Sequence, residues 1–282
     1  MTSKDFNKEK EKQFYELHYN DQLLILPNIW NPLGARLLEE LGFKAIATAS
    51  ASIAFANGYD DGEKISFDEL IYILTKIVKS VKIPVTADIE SGYAENNSIL
   101  KENIKSLVDT GISGINFEDS HHDEEKLFSK EVQSEKIYLI KKTALSTGSN
   151  LFINARTDVF LKENHLSKEE KIANAIDRGI AYKDAGADGF YPIFLKEKES
   201  IKKVVEEVTI PINILMLPGI PDFKELKESG VARISLGPGF LKYAIHSMKD
   251  IAEKLLESEG MEKIVNNPVT TDYLKNLISK KQ

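Results

Sequence analysis

Four acidic residues stand where a cluster of carboxylates could bind a metal ion. Asp88 and Glu90 end one short apolar run, Glu118 ends the next, and Asp61 follows an earlier run in the segment GYDDGE. Carboxylates that converge on one site repel one another unless protons, basic side chains or a cation offset their charge. Mg²⁺ prefers oxygen ligands and retains part of its water shell. We therefore predict that these four acids form a Mg²⁺ site, with Mn²⁺ as the alternative ion.

An arginine ends the apolar run that follows Glu118. Arg156 lies in the segment NARTD, and its planar guanidinium could hold a substrate carboxylate by two charge-assisted hydrogen bonds. The alternative is a salt bridge to Glu118 or Asp158, and the acids themselves could be solvated or paired with basic side chains. We favour the functional interpretation because these residues end neighbouring apolar runs. Arg156, Glu118 and Asp61 are the candidate catalytic residues.

The elements that must position these residues follow a repeated pattern. Short apolar runs rich in β-branched residues alternate with longer segments of helical periodicity. Eight such runs begin at Leu23, Ala45, Pro84, Gly114, Leu151, Gly189, Pro211 and Ala232. Eight units with short connections favour a closed parallel barrel over an open doubly wound sheet. The predicted fold is thus α/β, a (β/α)8 TIM barrel, whose active site would form at the carboxyl ends of the strands.

The second predicted strand closes on the small residues Thr48-Ala49-Ser50-Ala51-Ser52. Small side chains would let a ligand approach the backbone N–H groups closely. The alternative is a tightly packed barrel interior. His121 and His122 follow the fourth strand in the polar segment EDSHHDEEK, which is either a cover over the site or, as we favour, an exposed connection.

Two terminal segments lie outside the eight units. The chain before about Gln22 is predicted to be helical and to cap the barrel floor, and the chain beyond Phe240 is predicted to be a long amphipathic helix followed by a polar tail. We assign residues 1–240 to the catalytic barrel with its N-terminal helix and residues 241–282 to C-terminal helices. Extra terminal helices often pack against a second subunit, so a homo-oligomer is predicted.

The composition limits the possible functions. The chain has 282 residues, of which 42% are hydrophobic, enough for one substantial core. A net charge of −7 without a long basic run argues against nucleic acid as a partner. The lack of cysteine excludes disulfides, zinc–thiolate sites and a cysteine nucleophile. No uninterrupted apolar stretch approaches the length of a membrane span, so we predict a cytoplasmic protein without a membrane partner.

Taken together, the motifs resemble the isocitrate lyase and phosphoenolpyruvate mutase superfamily over about residues 26–239. The segments that carry the resemblance are LPNIWNPLGARLLEELGFKAIATASAS, GYDDGE, PVTADIESGYA, GINFEDS, LFINARTDVFL, YKDAGADGFYP and VARISLGPG. The resemblance implies a (β/α)8 barrel, usually a homotetramer whose C-terminal helices are exchanged between subunits. It also implies 2-oxo or 2-hydroxy acids as substrates, whose C–C or P–C bond is made or broken through a metal-stabilised enolate or oxyanion.

The resemblance further implies roles for individual residues. Asp88 would bind Mg²⁺ directly, and the other acids would act mostly through water: Asp61, Glu90 and Glu118. Arg156 would contact the substrate. The backbone around Ser50 and Ala51 would bind the substrate carboxylate.

Several departures from the family pattern narrow the predicted activity. Isocitrate and methylisocitrate lyases use a cysteine after the fourth strand as the catalytic acid, and this chain has none. Phosphonate-acting mutases carry Trp and Ser where this sequence has Ala47 and Ala49, and His where it has Ile193. We therefore predict Mg²⁺-dependent C–C cleavage of an oxaloacetate-like carboxylate by a lyase or decarboxylase. The alternatives are a phosphonomutase acting on carboxyphosphonoenolpyruvate or phosphoenolpyruvate, and a non-catalytic carboxylate-binding barrel.

Overall fold

The structure is a computed structural model that describes residues 3–121 and 126–279. Its strands are β1 (Leu24–Leu26), β2 (Asn28–Ile29), β3 (Ile46–Thr48), β4 (Val85–Asp88), β5 (Gly114–Glu118), β6 (Phe152–Thr157), β7 (Gly189–Pro192), β8 (Asn213–Leu215) and β9 (Arg233–Ser235). Its helices are α1 (Ser3–Leu17), α2 (Pro32–Glu40), α3 (Ser50–Ala56), α4 (Phe67–Val78), α5 (Asn97–Thr110), α6 (Lys130–Thr147), α7 (Val159–Lys162), α8 (Lys168–Asp184), α9 (Lys198–Val208), α10 (Phe223–Glu228), α11 (Gly239–Leu256), α12 (Met261–Val265) and α13 (Thr271–Ser279). Each of the eight predicted apolar runs contains a strand.

The strands close into a parallel barrel. β2 to β7 form one sheet in chain order, and β1, β9 and β8 form another. β1 and β2 are one barrel strand interrupted at Pro27, which has no N–H to donate but accepts a bond from the Ala47 N–H at 2.9 Å. At the other junction, Phe190 of β7 pairs in parallel with Ile212, next to β8. The predicted (β/α)8 barrel is therefore confirmed.

The register of the strands arranges the interior side chains in rows. Asp88 pairs with Asn116, Asn116 with Asn154, and Asn154 with Gly189. Paired residues of a parallel sheet point to the same face, so these positions form one row inside the barrel. Gly189 leaves room for its neighbour, because an added Cβ would lie 3.0 Å from the Asn154 Oδ1.

A second row lies two residues closer to the carboxyl ends of the strands, an end that we call the mouth. In this row Glu118 pairs with Arg156, and Arg156 pairs with Tyr191. The register alone thus brings an acid, a guanidinium and a phenol together at the mouth from β5, β6 and β7.

The helices that flank the mouth begin at side-chain caps. Ser66 and Glu69 form a capping box at α4, and Ser167 and Glu170 form another at α8. At the opposite end, α5 and α6 stop at glycines in the left-handed conformation, Gly111 and Gly148, as their sequences predict. These signals fix the lengths of the helices and hence the places where the mouth loops begin.

Helix α1 covers the amino ends of the strands, the floor of the barrel. The Phe14 ring is fully buried and meets the Phe152 ring edge-on, with centroids 5.4 Å apart. The His18 ring stacks on Phe152 at 4.1 Å, and its Nδ1 lies 2.8 Å from the Phe14 carbonyl oxygen. Leu24, Leu26, Ala45 and Ala47 complete this apolar cluster. The floor is therefore closed by packed side chains.

His18 should make the stability of the fold depend on pH. Burial, and secondarily the Arg233 charge, lower the pKa of His18 to about 3. Between about pH 6 and pH 3 the unfolded chain binds a proton that the folded chain does not, so stability falls as the pH falls, by about 1.4 kcal/mol per pH unit. We expect the variant His18→Phe, which keeps the ring packing, to lose this part of the slope in denaturant unfolding. Equal slopes for variant and wild type would contradict the prediction.

The C-terminal segment forms three helices, where a long helix followed by a polar tail is predicted. In α11 Leu241 is buried, and large apolar side chains of the same helix are exposed, including Tyr243, Ile245, Met248, Leu255 and Leu256. Helix α13 lies on α2 of the same chain, where the Leu277 carbonyl accepts a hydrogen bond from Arg36 at 3.2 Å. The division at residue 240 and an exchange of these helices between subunits stay predictions.

We expect the exposed apolar side chains of α11 to hold copies of the chain together. The double variant Ile245→Glu with Met248→Glu should shift the mass measured by size-exclusion chromatography with light scattering to that of a monomer. Lys249→Glu, on the same helix, is the matched control, because its exposed ion pair with Glu253 contributes little. A monomeric wild-type protein would contradict the prediction. Within residues 3–121 and 126–279, no helix is long and apolar enough to cross a membrane.

Candidate active site

Three of the four predicted metal-site acids are buried together at the mouth. Asp88 ends β4, Glu118 ends β5, and Glu90 follows β4; all three side chains are buried. Burial is the main cause that raises the pKa of each carboxyl, and the charges of Asp88 and Glu90 raise the pKa of Glu118 further. The protein thus brings three carboxyl groups together in a buried site, where their charged forms are disfavoured.

Glu90 reaches the cluster by a route that strand alternation does not provide. β4 ends at Asp88, and Glu90 has a left-handed backbone with φ of 49°. Its carbonyl oxygen accepts a bond from the Glu118 N–H at 2.9 Å. Its carboxylate accepts bonds from the Tyr93 hydroxyl at 2.8 Å and the Glu63 N–H at 2.9 Å. Burial, and then repulsion by Asp61, raises the pKa of Glu90 to about 8.

Asp61 lies in an exposed turn beside the cluster. Its negative charge raises the pKa of both Asp88 and Glu90. The turn is attached to the loop after β4 by Glu63, whose Oε1 accepts bonds from the Ser91 N–H at 3.1 Å, the Ser91 hydroxyl at 2.8 Å and the Tyr93 N–H at 2.8 Å. Sequence reasoning assigned no role to Glu63 or Tyr93, although GYDDGE contains the glutamate. We call these contacts the Glu63 latch.

Arg156 is paired with acids on both sides. Its Nε and Nη2 donate to the two oxygens of Asp158 at 2.6 and 2.9 Å, and its Nη1 lies 2.7 Å from a carboxylate oxygen of Glu118. Burial disfavours the charged guanidinium, but pairing with Asp158 and Glu118 outweighs burial and raises the pKa of Arg156 further. Arg156 thus forms salt bridges to both Glu118 and Asp158, which were the alternative to a contact with substrate. Contact with a substrate stays a prediction.

A second network, which sequence reasoning missed, holds Asp158 in place. The Ser120 hydroxyl donates to Asp158 at 2.5 Å, and the Asp158 N–H donates to Asp119 at 3.0 Å. Asp119 also accepts bonds from Thr157, Tyr182 and Arg178, at 2.7, 2.7 and 3.1 Å. Asp119 and Asp158 lie in the motifs GINFEDS and LFINARTDVFL, but the partners of Asp119 on α8 lie about 60 positions further along. The network fixes the carboxylate on which the Arg156 fork rests.

The segment around Ser50 is helical rather than extended. β3 ends at Thr48, and α3 begins at Ser50, so the second strand does not continue to Ser52 as predicted. The Thr48 hydroxyl oxygen accepts a bond from the Asp88 N–H at 3.3 Å, which puts this turn next to the acids. The first N–H groups of a helix, here those of Ser50 and Ala51, have no partner within the helix. Their binding of a substrate carboxylate stays a prediction.

The positions that depart from the mutase pattern are occupied by packed apolar side chains. Ala47 belongs to the floor cluster, and Ala49 is buried beyond the end of β3. Ile193 is buried with Tyr191 and Leu215 at the ends of β7 and β8. No hydroxyl, indole or imidazole therefore stands at these three positions.

His121 lies at the edge of the site, and His122 lies outside the described residues. The His121 ring rests against Phe128, with centroids 3.9 Å apart. A cavity of about 700 Å³ opens there beside the Glu63 latch, lined also by Ser91, Tyr93 and Lys136. Asp88, Glu90, Glu118 and Arg156 do not line this cavity, which borders the loops beside the site.

The donor set fits a hydrated divalent cation. Among the described residues, no three acidic or histidine side chains are placed to ligate one ion directly. A cation held by one carboxylate, with water between it and the other acids, needs no such triplet, and Mg²⁺ commonly binds in this way. Asp88 is the central acid, since its charge acts on Glu90, Glu118 and Arg156. The residues present therefore fit Mg²⁺, and the assignment of Asp88 as its direct ligand stays a prediction.

Comparison with known proteins gives the class to which this barrel and site belong. Residues 14–256 match the family model described as phosphoenolpyruvate phosphomutase. The chain therefore belongs to the phosphoenolpyruvate mutase family, within the isocitrate lyase and phosphoenolpyruvate mutase superfamily, and is an enzyme of that superfamily.

Individual relatives carry different activities in their names. A crystal structure described as a "putative phosphonomutase", from Burkholderia cenocepacia J2315, is 35% identical with a TM-score of 0.83, covering 87% of this chain and 99% of that one. A 2-methylisocitrate lyase of Halalkalibacterium halodurans is 26% identical over 73% of this chain and 67% of its own. Oxaloacetate decarboxylase 2 of Pseudomonas putida is 24% identical over 90% of this chain and 83% of its own.

Proposed function

We propose that this protein is a Mg²⁺-dependent lyase or decarboxylase that cleaves a C–C bond in a small 2-oxo or 2-hydroxy diacid of the oxaloacetate type. The observation that carries the proposal is the buried set of Asp88, Glu90 and Glu118 with the Arg156 guanidinium beside it. An anionic substrate can bind beside these acids only when a cation and the arginine balance their negative charge.

Each residue of the site has a defined part in this reaction. Arg156 would hold a carboxylate of the substrate in place of its contact with Glu118. Its two bonds to Asp158 would keep the guanidinium in position during this change. The N–H groups of Ser50 and Ala51 would bind a second carboxylate oxygen. Glu90, Glu118 and Asp61 would orient the water shell around the position of the ion. When bound at Asp88, Mg²⁺ would supply a Lewis acid for the negative charge that develops on the substrate oxygen.

In the simplest case the bond between C3 and C4 of oxaloacetate breaks. The bonding electron pair stays on C3 to form the enolate of pyruvate, and C4 leaves with its two oxygens as CO₂. A proton taken up at C3 then gives pyruvate. The burial of Glu118 and Asp88 keeps bulk water away from this enolate and strengthens its interaction with Arg156.

The missing cysteine supports one of the activities of the relatives over another. Methylisocitrate lyases resemble this chain, but the thiol acid expected for that reaction has no counterpart in a sequence without cysteine. Decarboxylation of an oxaloacetate-like acid does not require that thiol. The named oxaloacetate decarboxylase among the relatives supports the same choice.

Phosphonomutase activity is the second candidate, because the 35% identical relative is described as a phosphonomutase. Ala47, Ala49 and Ile193 argue against it, since apolar packing replaces the side chains that serve the phosphoryl group in mutases. A barrel that binds a carboxylate without turnover is the third candidate.

One set of measurements separates the three candidates. Purified protein with Mg²⁺ is incubated with a panel of 2-oxo and 2-hydroxy diacids, and release of pyruvate, oxalate or glyoxylate is followed. We expect release from at least one acid and its loss in EDTA. Phosphorus NMR of an added phosphonate would reveal mutase activity. Tight oxalate binding by calorimetry without any turnover would favour the non-catalytic barrel and overturn the proposal.

A further inference from the structure

Below the acid cluster lies a buried arginine whose environment differs from that of the other interior arginines. Arg233 is on β9 and is 1% exposed. Arg156 and Arg178 both pair with acids, whereas among the residues that the structure describes no acidic side chain forms an ion pair with Arg233. Its Nη1 has no hydrogen-bond partner. Burial lowers the pKa of Arg233 to about 10.

A buried charge without a direct ion-pair partner is costly to the fold, so its contacts indicate what it does. Tyr191 and the Asp88 charge favour the charged form of Arg233, but less than burial disfavours it. Arg233 makes two hydrogen bonds in the described structure. Its Nε donates to the Ser235 hydroxyl oxygen at 3.2 Å, and its Nη2 donates to the Asn116 Oδ1 at 3.1 Å. The second contact crosses the barrel, since Asn116 lies on β5.

This contact determines which way the Asn116 amide points. A guanidinium has only donors, and a carboxamide has one accepting and one donating end. The Asn116 Oδ1 accepts from Arg233 and also from the Asn154 Nδ2 at 2.9 Å. Its NH₂ end is thereby turned toward Asp88, with the Nδ2 3.5 Å from the Asp88 Oδ2.

The other oxygen of Asp88 is held from the opposite side, because the Asp88 Oδ1 accepts the Glu90 N–H at 3.2 Å. We infer that Arg233 is a positioning residue that acts through Asn116 to fix the orientation of the Asp88 carboxylate for a divalent cation. This inference rests on the proposed cation site. Without the Arg233 donor only the Asn154 bond holds the Asn116 oxygen in place. The amide can then turn more easily, and an amide oxygen turned toward Asp88 would repel the carboxylate from its position.

The test measures Mn²⁺ binding by electron paramagnetic resonance, without substrate. We expect Arg233→Met to weaken binding about tenfold, within the range that loss of a supporting contact to a ligand produces. Asn116→Leu should weaken it to a similar extent, and the double variant no further than either single change, because both break one chain of contacts. Arg233→Lys, which keeps a charged donor, should bind more tightly than Arg233→Met. Asn116→Leu keeps the test valid even where Arg233→Met does not fold.

Asn213→Leu is the matched control. It removes another interior amide that bonds to Ser235, and the hydrogen bonds described for Asn213 include neither Asn116 nor Asp88. Because Ser235 also accepts the bond from the Arg233 Nε, while the Arg233 bond to Asn116 is kept, we expect Asn213→Leu to weaken Mn²⁺ binding far less than Arg233→Met does. A crystal structure of Arg233→Met should show the Asn116 amide turned over.

The outcomes separate this inference from the proposed function. A wild-type protein that binds no Mn²⁺ overturns the proposed function and the inference with it. If the wild type binds Mn²⁺, either of two results overturns the inference alone. One is that Arg233→Met binds Mn²⁺ as tightly as the wild type; the other is that the loss of affinity in the double variant equals the product of the losses in the two single variants.

Discussion

Replacing Asp88 with asparagine is expected to lower kcat by about 10³-fold, the upper range for loss of one group that stabilises charge in a transition state. The expected cause is loss of the direct ligand of the cation, so Mn²⁺ binding should weaken in parallel. Steady-state kinetics at saturating Mg²⁺ and titration with Mn²⁺ are the two measurements. Asp109→Asn, on the exposed face of α5, is the control and should match the wild type.

The stability of the Asp88→Asn variant distinguishes a lost ligand from a damaged fold. Burial raises the pKa of Asp88 more than Arg156 lowers it, and repulsion by Asp61 adds to the increase, so the charged side chain is disfavoured in the protein without metal. A neutral amide of the same size removes that repulsion. The metal-free variant should therefore unfold at the same temperature as the wild type or at a higher one. A variant with wild-type activity would refute the assignment of Asp88.

Replacing Arg156 with lysine is expected to lower kcat/KM by roughly 10²-fold while the protein stays folded. Lysine keeps the charge but cannot hold Asp158 by a two-pronged contact and face a substrate at the same time. Arg36→Lys, the same change on α2, should leave kcat/KM unchanged. Activity kinetics with the substrate found in the panel provide the measurement.

Arg156→Met should have a different effect, because it leaves Glu118 and Asp158 buried without their partner. We expect it to lower the free energy of unfolding by about 3–5 kcal/mol, the usual effect of removing one member of a buried ion pair. Denaturant unfolding of the lysine and methionine variants compares the two. If Arg156→Lys retained full activity, the predicted substrate contact would be wrong.

The barrel and the acid cluster were predictable because they depend on local patterns. Each apolar run predicts a strand. The carboxyl end of a parallel strand has a fixed place in the barrel, so the positions of Asp88, Glu118 and Arg156 at the mouth follow from the sequence order. The end of β3 did not follow, because small residues such as Ser50 and Ala51 fit a strand or a helix equally well. Glu90 reaches the site through a left-handed backbone that no alternation rule contains.

The supporting contacts were not predictable for a different reason. Glu63 meets Ser91 and Tyr93 from about thirty positions away, and Arg233 meets Asn116 across the barrel, at a sequence separation of 117. Such partners are chosen by tertiary packing and leave no period in the sequence. Arg233, for example, lies in the motif VARISLGPG, and nothing in that motif indicates a contact with Asn116.

The closed floor determines how material can move through this enzyme. Because Phe14, His18 and Phe152 seal the amino ends of the strands, the described residues offer no exit through the floor, and whatever enters at the mouth is expected to leave by the same opening. If the reaction splits one molecule into two products, the product that lies nearer Arg156 would then leave last. We expect that last fragment to compete with fresh substrate in product-inhibition kinetics, and the first to inhibit without competing.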